Sequence, residues 1–355
     1  MTEDEVSDFV ERTAAAAVQT VLKGQGLTFR LPARTGNNHY VPELDSNFLE
    51  YREMKRSFGD LSQTRKTTVM AYCMQAVHEL LDKGIHSTKR DIFYKHVKLF
   101  EKQGTSDAAL EEIACMAGCT RPSLHVVASE KGIVVGKVQF EDGGNEIDCT
   151  AMGLSGKNIP SFMDRVTNIR SDYAQPAEFI LLVEKDAAFL RLAEDRFYNK
   201  YPCIIITGKG EADLATRMFL KRVRETLRIP VLGLFDSDAH GLKILSVYMQ
   251  GSEAMAHDAS SLATPDIKWL GVRPSDLNKY KIPAQCRLDL TDNDLKFAKQ
   301  LLEKPYIQHR PKWRDELQTL ITSKKKAEIQ ALSSFGFQYL TKEYLPRKLK
   351  EGDWI

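Results

Sequence analysis

Three uninterrupted apolar runs constrain this chain more than anything else in it: Phe179-Ile180-Leu181-Leu182-Val183, Cys203-Ile204-Ile205-Ile206-Thr207 and Val231-Leu232-Gly233-Leu234-Phe235. Each is strand-sized and lacks the polar alternation of a half-exposed strand, so each reads as a strand buried on both faces. A helix is expected after the first run, to about Tyr198. Residues 213–228 place Leu214, Met218, Val223 and Leu227 at helical spacing before the third. Strand, crossover helix, strand predicts an α/β unit with a largely parallel sheet, because parallel neighbours need such crossovers. Ile267-Lys268-Trp269-Leu270 is the candidate fourth strand.

Open α/β sheets gather ligands beyond the carboxyl ends of their strands. Glu184 follows the first strand, Gly208-Lys209-Gly210 the second and Asp236-Ser237-Asp238 the third. If the first and third strands are neighbours, Glu184 faces the aspartate pair. Clustered carboxylates repel one another unless a hard cation neutralises them, and an all-oxygen set suits magnesium. A magnesium site with few protein ligands serves phosphate chemistry. Taken alone, the aspartate pair reads first as an acidic loop capping the next helix; the glutamate at an equivalent strand end makes a metal site the better reading.

The N-terminal half has a different grammar. Residues 4–23 place Val6, Phe9, Val10, Ala14, Val18 and Val21 on one helical face, an arm over 1–24 that either packs on its own domain or docks a partner. Thr64 to Leu81 predicts a helix stopped by Gly84. Thr88 with Asp91 has capping-box spacing and opens a helix carrying Ile92, Phe93, His96 and Leu99. A further helix is expected from Ser106 to Gly118, and another over 121–131 capped by Thr120. Beyond Gly132 the period falls to two, with Asp142-Gly143-Gly144 as the turn of a hairpin. Helices followed by a hairpin predict a winged helix-turn-helix domain over 25–150, whose 121–131 helix would read the DNA groove through Arg121, Ser123 and His125. Residues 151–174 are then a linker and 175–355 the α/β domain.

Lysine and arginine total 50 against 48 acidic residues, so any nucleic-acid surface must be local; Lys89-Arg90 with Lys95 and Lys98 is one candidate. Six cysteines scattered through apolar runs read as reduced core residues of an intracellular protein. Cys115 and Cys119 lack the second pair a zinc site needs. No membrane span, secretory start or GxxxxGK[ST] loop is visible.

Several ordered motifs together resemble a known family. Val183-Glu184-Lys185-Asp186 with Asp236-Ser237-Asp238-Ala239-His240-Gly241 is similar to the acidic signature of Toprim domains. Thr88-Lys89-Arg90-Asp91-Ile92-Phe93-Tyr94 resembles the tyrosine motif of topoisomerase VI A subunits and of the meiotic double-strand-break proteins related to them. The likeness continues in Ser123-Leu124-His125, Ile267 to Gly271, Arg273-Pro274-Ser275-Asp276-Leu277 and Lys326 to Leu332, over roughly residues 60–355. Its wording leans toward the eukaryotic, plant-type topoisomerase VI A proteins.

The resemblance implies a CAP-like winged helix followed by a Toprim domain. It implies that Tyr94, second of the aromatic pair Phe93-Tyr94, is the nucleophile, that Arg90 holds the scissile phosphate, and that Glu184, Asp236 and Asp238 bind Mg2+. Asp186 and His240 are supporting neighbours, and Ala239 stands where many relatives carry proline. Lys89, Arg121, Ser123 and His125 are the expected DNA contacts. Further implications are double-stranded DNA as substrate, a homodimer in which Tyr94 of one protomer meets the acidic site of the other, and a separate ATPase B-type subunit in an A2B2 assembly. The N-terminal arm is its expected docking site, and the nucleus the expected location. A meiotic break-forming role is the alternative within the family. A Toprim metal nuclease or a non-enzymatic DNA-binding regulator lies outside it.

Overall fold

The computed structural model describes residues 2–33, 38–43, 46–49, 52–128, 130–252, 256 and 258–355. Contacts divide the chain into a helical unit, Met1–His39, Asn47–Ser129 and Gly251–Ser261, and a sheet unit, Tyr40–Ser46, Glu130–Gln250 and Leu262–Ile355. No helix among the described residues is long and apolar enough to cross a membrane.

The helical unit begins with α1 (Glu3–Leu22), opened by a capping box between Thr2 and Glu5. Its first half buries Val6 and Val10 in the unit's own core; its second half leaves Val18, Val21 and Leu22 exposed. Strand β1 (Thr28–Pro32) pairs antiparallel with β2 (Glu53–Ser57). Helix α2 (Thr64–Asp82) buries Val69, Cys73, Ala76 and Leu80, as their spacing predicts, and Gly84 follows at φ 59°. After β3 (Ser87–Thr88) come α3 (Lys89–Lys95) and α4 (Gln103–Ala117). Gly118 takes the left-handed C-cap conformation that glycine adopts without strain.

The helix expected over 121–131 does not form. Only a single 3-10 turn, Pro122–Leu124, follows Arg121; His125 is left-handed at φ 58°, and β4 (Val126–Val127) then pairs in parallel with β3. Two β-branched residues in succession, Val126-Val127, favour extended backbone over a helix. Ser129, within that expected helix, lies outside the described residues.

The hairpin does form, as β6 (Val138–Asp142) and β7 (Asn145–Asp148), with Gly143 and Gly144 both at positive φ in the turn. It belongs to the sheet unit, however. The preceding β5 (Ile133–Gly136) enters the main sheet, and β6 also pairs with β9 (Val166–Ser171). Residues 151–174, expected as a linker, supply β8 (Lys157–Asn158) and β9, each paired to a strand from before residue 150. The contact boundary therefore falls near Glu130.

The main sheet is completed by β10 (Phe179–Val183), β11 (Cys203–Thr207), β12 (Val231–Leu234) and β13 (Lys268–Gly271). Its order is β8-β5-β11-β10-β12-β13, with the last four strands parallel and β5 antiparallel to both its neighbours, β8 and β11. Every residue of β10, β11 and β12 is buried. Ile180, Leu182, Ile204 and Ile206 enter one core with Phe219 and Leu220 of α6 (Leu214–Leu227) and Leu245 of α7 (Ala239–Gln250). Leu181, Val183 and Ile205 enter a second core with Phe189 and Leu192 of α5 (Asp186–Glu194). Burial on both faces is why the runs carry no polar alternation.

Candidate active site

In the helical unit, the capping box at α3 is complete. Asp91 N–H donates to Thr88 Oγ1 at 3.2 Å, and Thr88 N–H donates to Asp91 Oδ2 at 3.2 Å. With Ile92 buried and Phe93 half-buried against Phe100, the helix turns Tyr94 outward at 65% exposure. Arg90, also exposed, stands one helical turn before Tyr94, so the two share a face. The alternative role for Arg90 is a surface ion pair with Asp91 or another nearby acid; Asp91 itself is engaged by Thr88, also accepting its hydroxyl at 2.8 Å. An exposed phenol beside an exposed guanidinium is an arrangement that can meet a phosphate.

The other expected DNA contacts are more enclosed. Lys89 Nζ lies 2.8 Å from Glu111 and 3.7 Å from Asp107. Arg121 is half-buried, its Nε–H donating to Val126 O at 3.3 Å, and Ser123 shares a hydroxyl hydrogen bond with Thr120 at 3.0 Å. The His125 ring is 3% exposed, with Nδ1 at 3.1 Å from Ile85 O and 3.3 Å from Leu80 O, and Nε2 at 3.1 Å from Glu3. In this conformation His125 braces the end of α2 against α1, and its ring has no open path to a groove.

In the sheet unit, β10 and β12 are adjacent, with Val183 opposite Leu234, so Glu184 and Asp236 emerge side by side. Asp236 N–H donates to Glu184 Oε2 at 2.7 Å, fixing one carboxylate on the other's backbone. Asp236 Oδ1 accepts from Ile329 N–H at 2.9 Å, and Oδ2 meets Lys185 Nζ at 2.8 Å. Asp238 Oδ1 accepts from Gly241 N–H at 2.7 Å in the first turn of α7. Gly241 is required here: a Cβ would lie 2.7 Å from Asp236 O and 3.1 Å from Glu184 Oε2. Asp186 pairs with Lys209 at 3.9 Å, and the exposed His240 lies 3.8 Å from Glu211.

Glu184 and Asp236 are buried, at 7% and 5% exposure. Burial, then the charge of Asp236, pushes the Glu184 carboxyl well above the ordinary range, against the Asp236 N–H that stabilises its ionised form. Burial raises Asp236 too, opposed chiefly by Lys185. Two buried acids that resist ionising together are chemically suited to a hard cation. Among the described residues no three His, Cys, Asp or Glu side chains are grouped so as to enclose such an ion; Lys185 meets Asp236 and the α7 terminus engages Asp238. Lys185 and Glu328, which meets Lys185 at 3.0 Å, are residues at this site that sequence reasoning passed over. Both lie inside the quoted motifs, but only the fold brings them together.

Matches to known proteins cover both sites. Residues 179–349 match the family model of the Toprim domain of topoisomerase 6 A subunits and Spo11, and residues 65–126 match the model described as "Type IIB DNA topoisomerase". The chain is 56% identical to the A3 subunit of DNA topoisomerase 6 from Oryza sativa subsp. indica, across 99% of its own length and 78% of that protein. It is 53% identical to the DNA topoisomerase 6 A-type subunit of Arabidopsis thaliana, across 98% and 80%. Identity to the human meiotic recombination protein SPO11 is 39%, across 82% and 73%.

Proposed function

The chain belongs to the family of topoisomerase 6 A subunits and Spo11, and from that membership we propose that it is the DNA-cleaving tyrosine transesterase, the A-type component, of a type IIB topoisomerase. The observation that carries this reading is Tyr94, exposed on a capped helix with Arg90 one turn away. Tyr94 Oη attacks a backbone phosphorus in line; a P–O bond forms to the phenol and the bond to the 3′ oxygen breaks. The phenolic proton passes to water and the 3′ oxygen leaves as a hydroxyl. The product is a 5′-phosphotyrosyl link, and because one phosphodiester replaces another, reversal reseals the strand. A neutral phenol is a weak nucleophile, so Arg90 helps by holding the phosphate's charge.

Glu184, Asp236 and Asp238 would hold a divalent cation, Mg2+ by their all-oxygen chemistry, once Lys185 and the α7 terminus release them. When bound, that ion supplies positive charge to the phosphate and the leaving oxygen. The helical unit serves as the DNA-binding module, the counterpart of the family's winged-helix, CAP-like domain but without the 121–131 helix or the 138–148 hairpin, with α3 as its catalytic helix. Lys89, Arg121 and Ser123 lie nearest its surface among the expected DNA contacts, and His125 supports them from within. The assembly proposed is a homodimer joined by two ATPase B-type subunits, A2B2. The exposed Val18, Val21 and Leu22 of α1 form a docking strip for the B-type partner. A nuclear location follows from DNA as substrate and the eukaryotic character of the resemblance; a fluorescent fusion excluded from nuclei would remove it.

Identity of 56% and 53% to plant topoisomerase 6 A proteins, against 39% to human SPO11, favours a resealing topoisomerase over a meiotic break-former. The deciding experiment is covalent capture: protein, B-type subunit, ATP and Mg2+ with supercoiled plasmid, stopped by detergent. Protein-linked DNA beside relaxed plasmid is expected, with adducts lost in Tyr94→Phe. Cleavage that survives Tyr94→Phe would mean a metal nuclease instead.

A further inference from the structure

Lys185 follows the acidic Glu184 directly, and its ammonium lies between two carboxylates, 2.8 Å from Asp236 Oδ2 and 3.0 Å from Glu328. The two partners differ. The Asp236 side chain is 7% exposed and belongs to the acidic site, whereas Glu328 is 52% exposed at its rim. Their spacing is built into the backbone. Ser237 N–H donates to Ala327 O at 2.8 Å and Ala327 N–H donates to Ser237 O at 3.3 Å, while Ile329 N–H donates to Asp236 Oδ1. Glu328 therefore sits on a segment clamped on both sides to the Asp236 loop.

We propose that Lys185 is a tethered counter-ion of the acidic site, held between Asp236 and Glu328, and that a divalent cation binds by displacing its ammonium from Asp236 onto Glu328. This rests on the acidic-site reading and deepens it. Before a cation arrives, the ammonium neutralises a buried carboxylate that would otherwise be unpaired, a costly state. When a cation arrives, Lys185 need not enter solvent, because Glu328 already holds its other side. Affinity for the cation is thus the result of an exchange. Lys185 competes for Asp236, and Glu328 is a positioning residue that favours release.

The test is calorimetric titration of the full-length protein with Mn2+, alongside melting temperatures in chelator and in saturating Mn2+. Removing the competitor in Lys185→Gln is expected to tighten Mn2+ binding on the order of tenfold, the scale of coupling between charged residues in contact. Its melting temperature should fall in chelator and recover with Mn2+. Glu328→Gln should weaken Mn2+ binding severalfold, because the ammonium is left with Asp236 alone. Lys185→Arg keeps the charge and should bind more weakly than Lys185→Gln, which guards against a variant that merely misfolds. Mn2+ binding unchanged or weakened in Lys185→Gln would overturn the exchange while leaving the metal site intact. A wild type that binds Mn2+ no better than Asp236→Ala would overturn the metal site itself, and the exchange with it.

Discussion

At the scale of single residues, chemistry here depends on which groups are left uncommitted. Asp91 is spent on Thr88, so Arg90, on the exposed face with Tyr94, stays available to a phosphate. Arg90→Ala should therefore lower the rate of covalent adduct formation by about 10²–10³-fold, as loss of one preorganised donor to a phosphoryl centre does. Chemical denaturation should give the same stability as wild type within about 0.5 kcal/mol. A stability loss with normal cleavage would mean that Arg90 is structural. His125 shows the opposite case. In sequence it looks like a groove contact, yet its ring is 3% exposed and engaged by Leu80, Ile85 and Glu3. Nothing local distinguishes a histidine that will be buried from one that will meet DNA.

At the scale of elements, local rules succeeded where a helix has its own start and stop signals. The Thr88–Asp91 capping box and the Gly118 C-cap are both present. The short α3 has few internal hydrogen bonds, so its cap matters. Thr88→Ala should cost about 1 kcal/mol in denaturant unfolding and increase amide exchange across residues 89–95. Unchanged exchange there would show that packing of Ile92 alone holds the helix. Local rules failed over 121–131, where Thr120 and Pro122 announce a helix but Val126-Val127 pair with Ser87-Thr88 instead. The partner strand is distant in sequence, so a cap signal could not foresee it. The hairpin at Gly143-Gly144 formed as its turn chemistry requires, but its third strand comes from residues 166–171. A turn specifies a hairpin and leaves open what the hairpin pairs with.

At the scale of the whole molecule, stability rests on a sheet buried on both faces. Ile205→Ala, at a fully buried position in the middle of β11, should cost about 2–5 kcal/mol in denaturant unfolding; a cost below that range would mean the second core collapses around the gap. The C-terminal segment adds an electrostatic tie. Burial works against ionised Asp353, yet Lys279, Lys348 and Arg273 hold its carboxyl well below its ordinary value of 3.8. A depressed carboxyl stabilises the fold above its unfolded pKa and loses that contribution as pH falls toward the folded value. Asp353→Asn should therefore be less stable than wild type at pH 7, with the gap narrowing below about pH 4; a gap constant with pH would assign the residue a purely steric role. The sequence alone determined the parallel strands, their crossover helices, the capped tyrosine helix and the three acids at strand ends, because each follows from short-range periodicity or from motif likeness. Tertiary structure decided that residues 130–174 join the sheet unit, that His125 is buried, and that Lys185 lies between Asp236 and Glu328. Those outcomes depend on pairing partners remote in the chain, whose contact energies no local stretch of sequence contains.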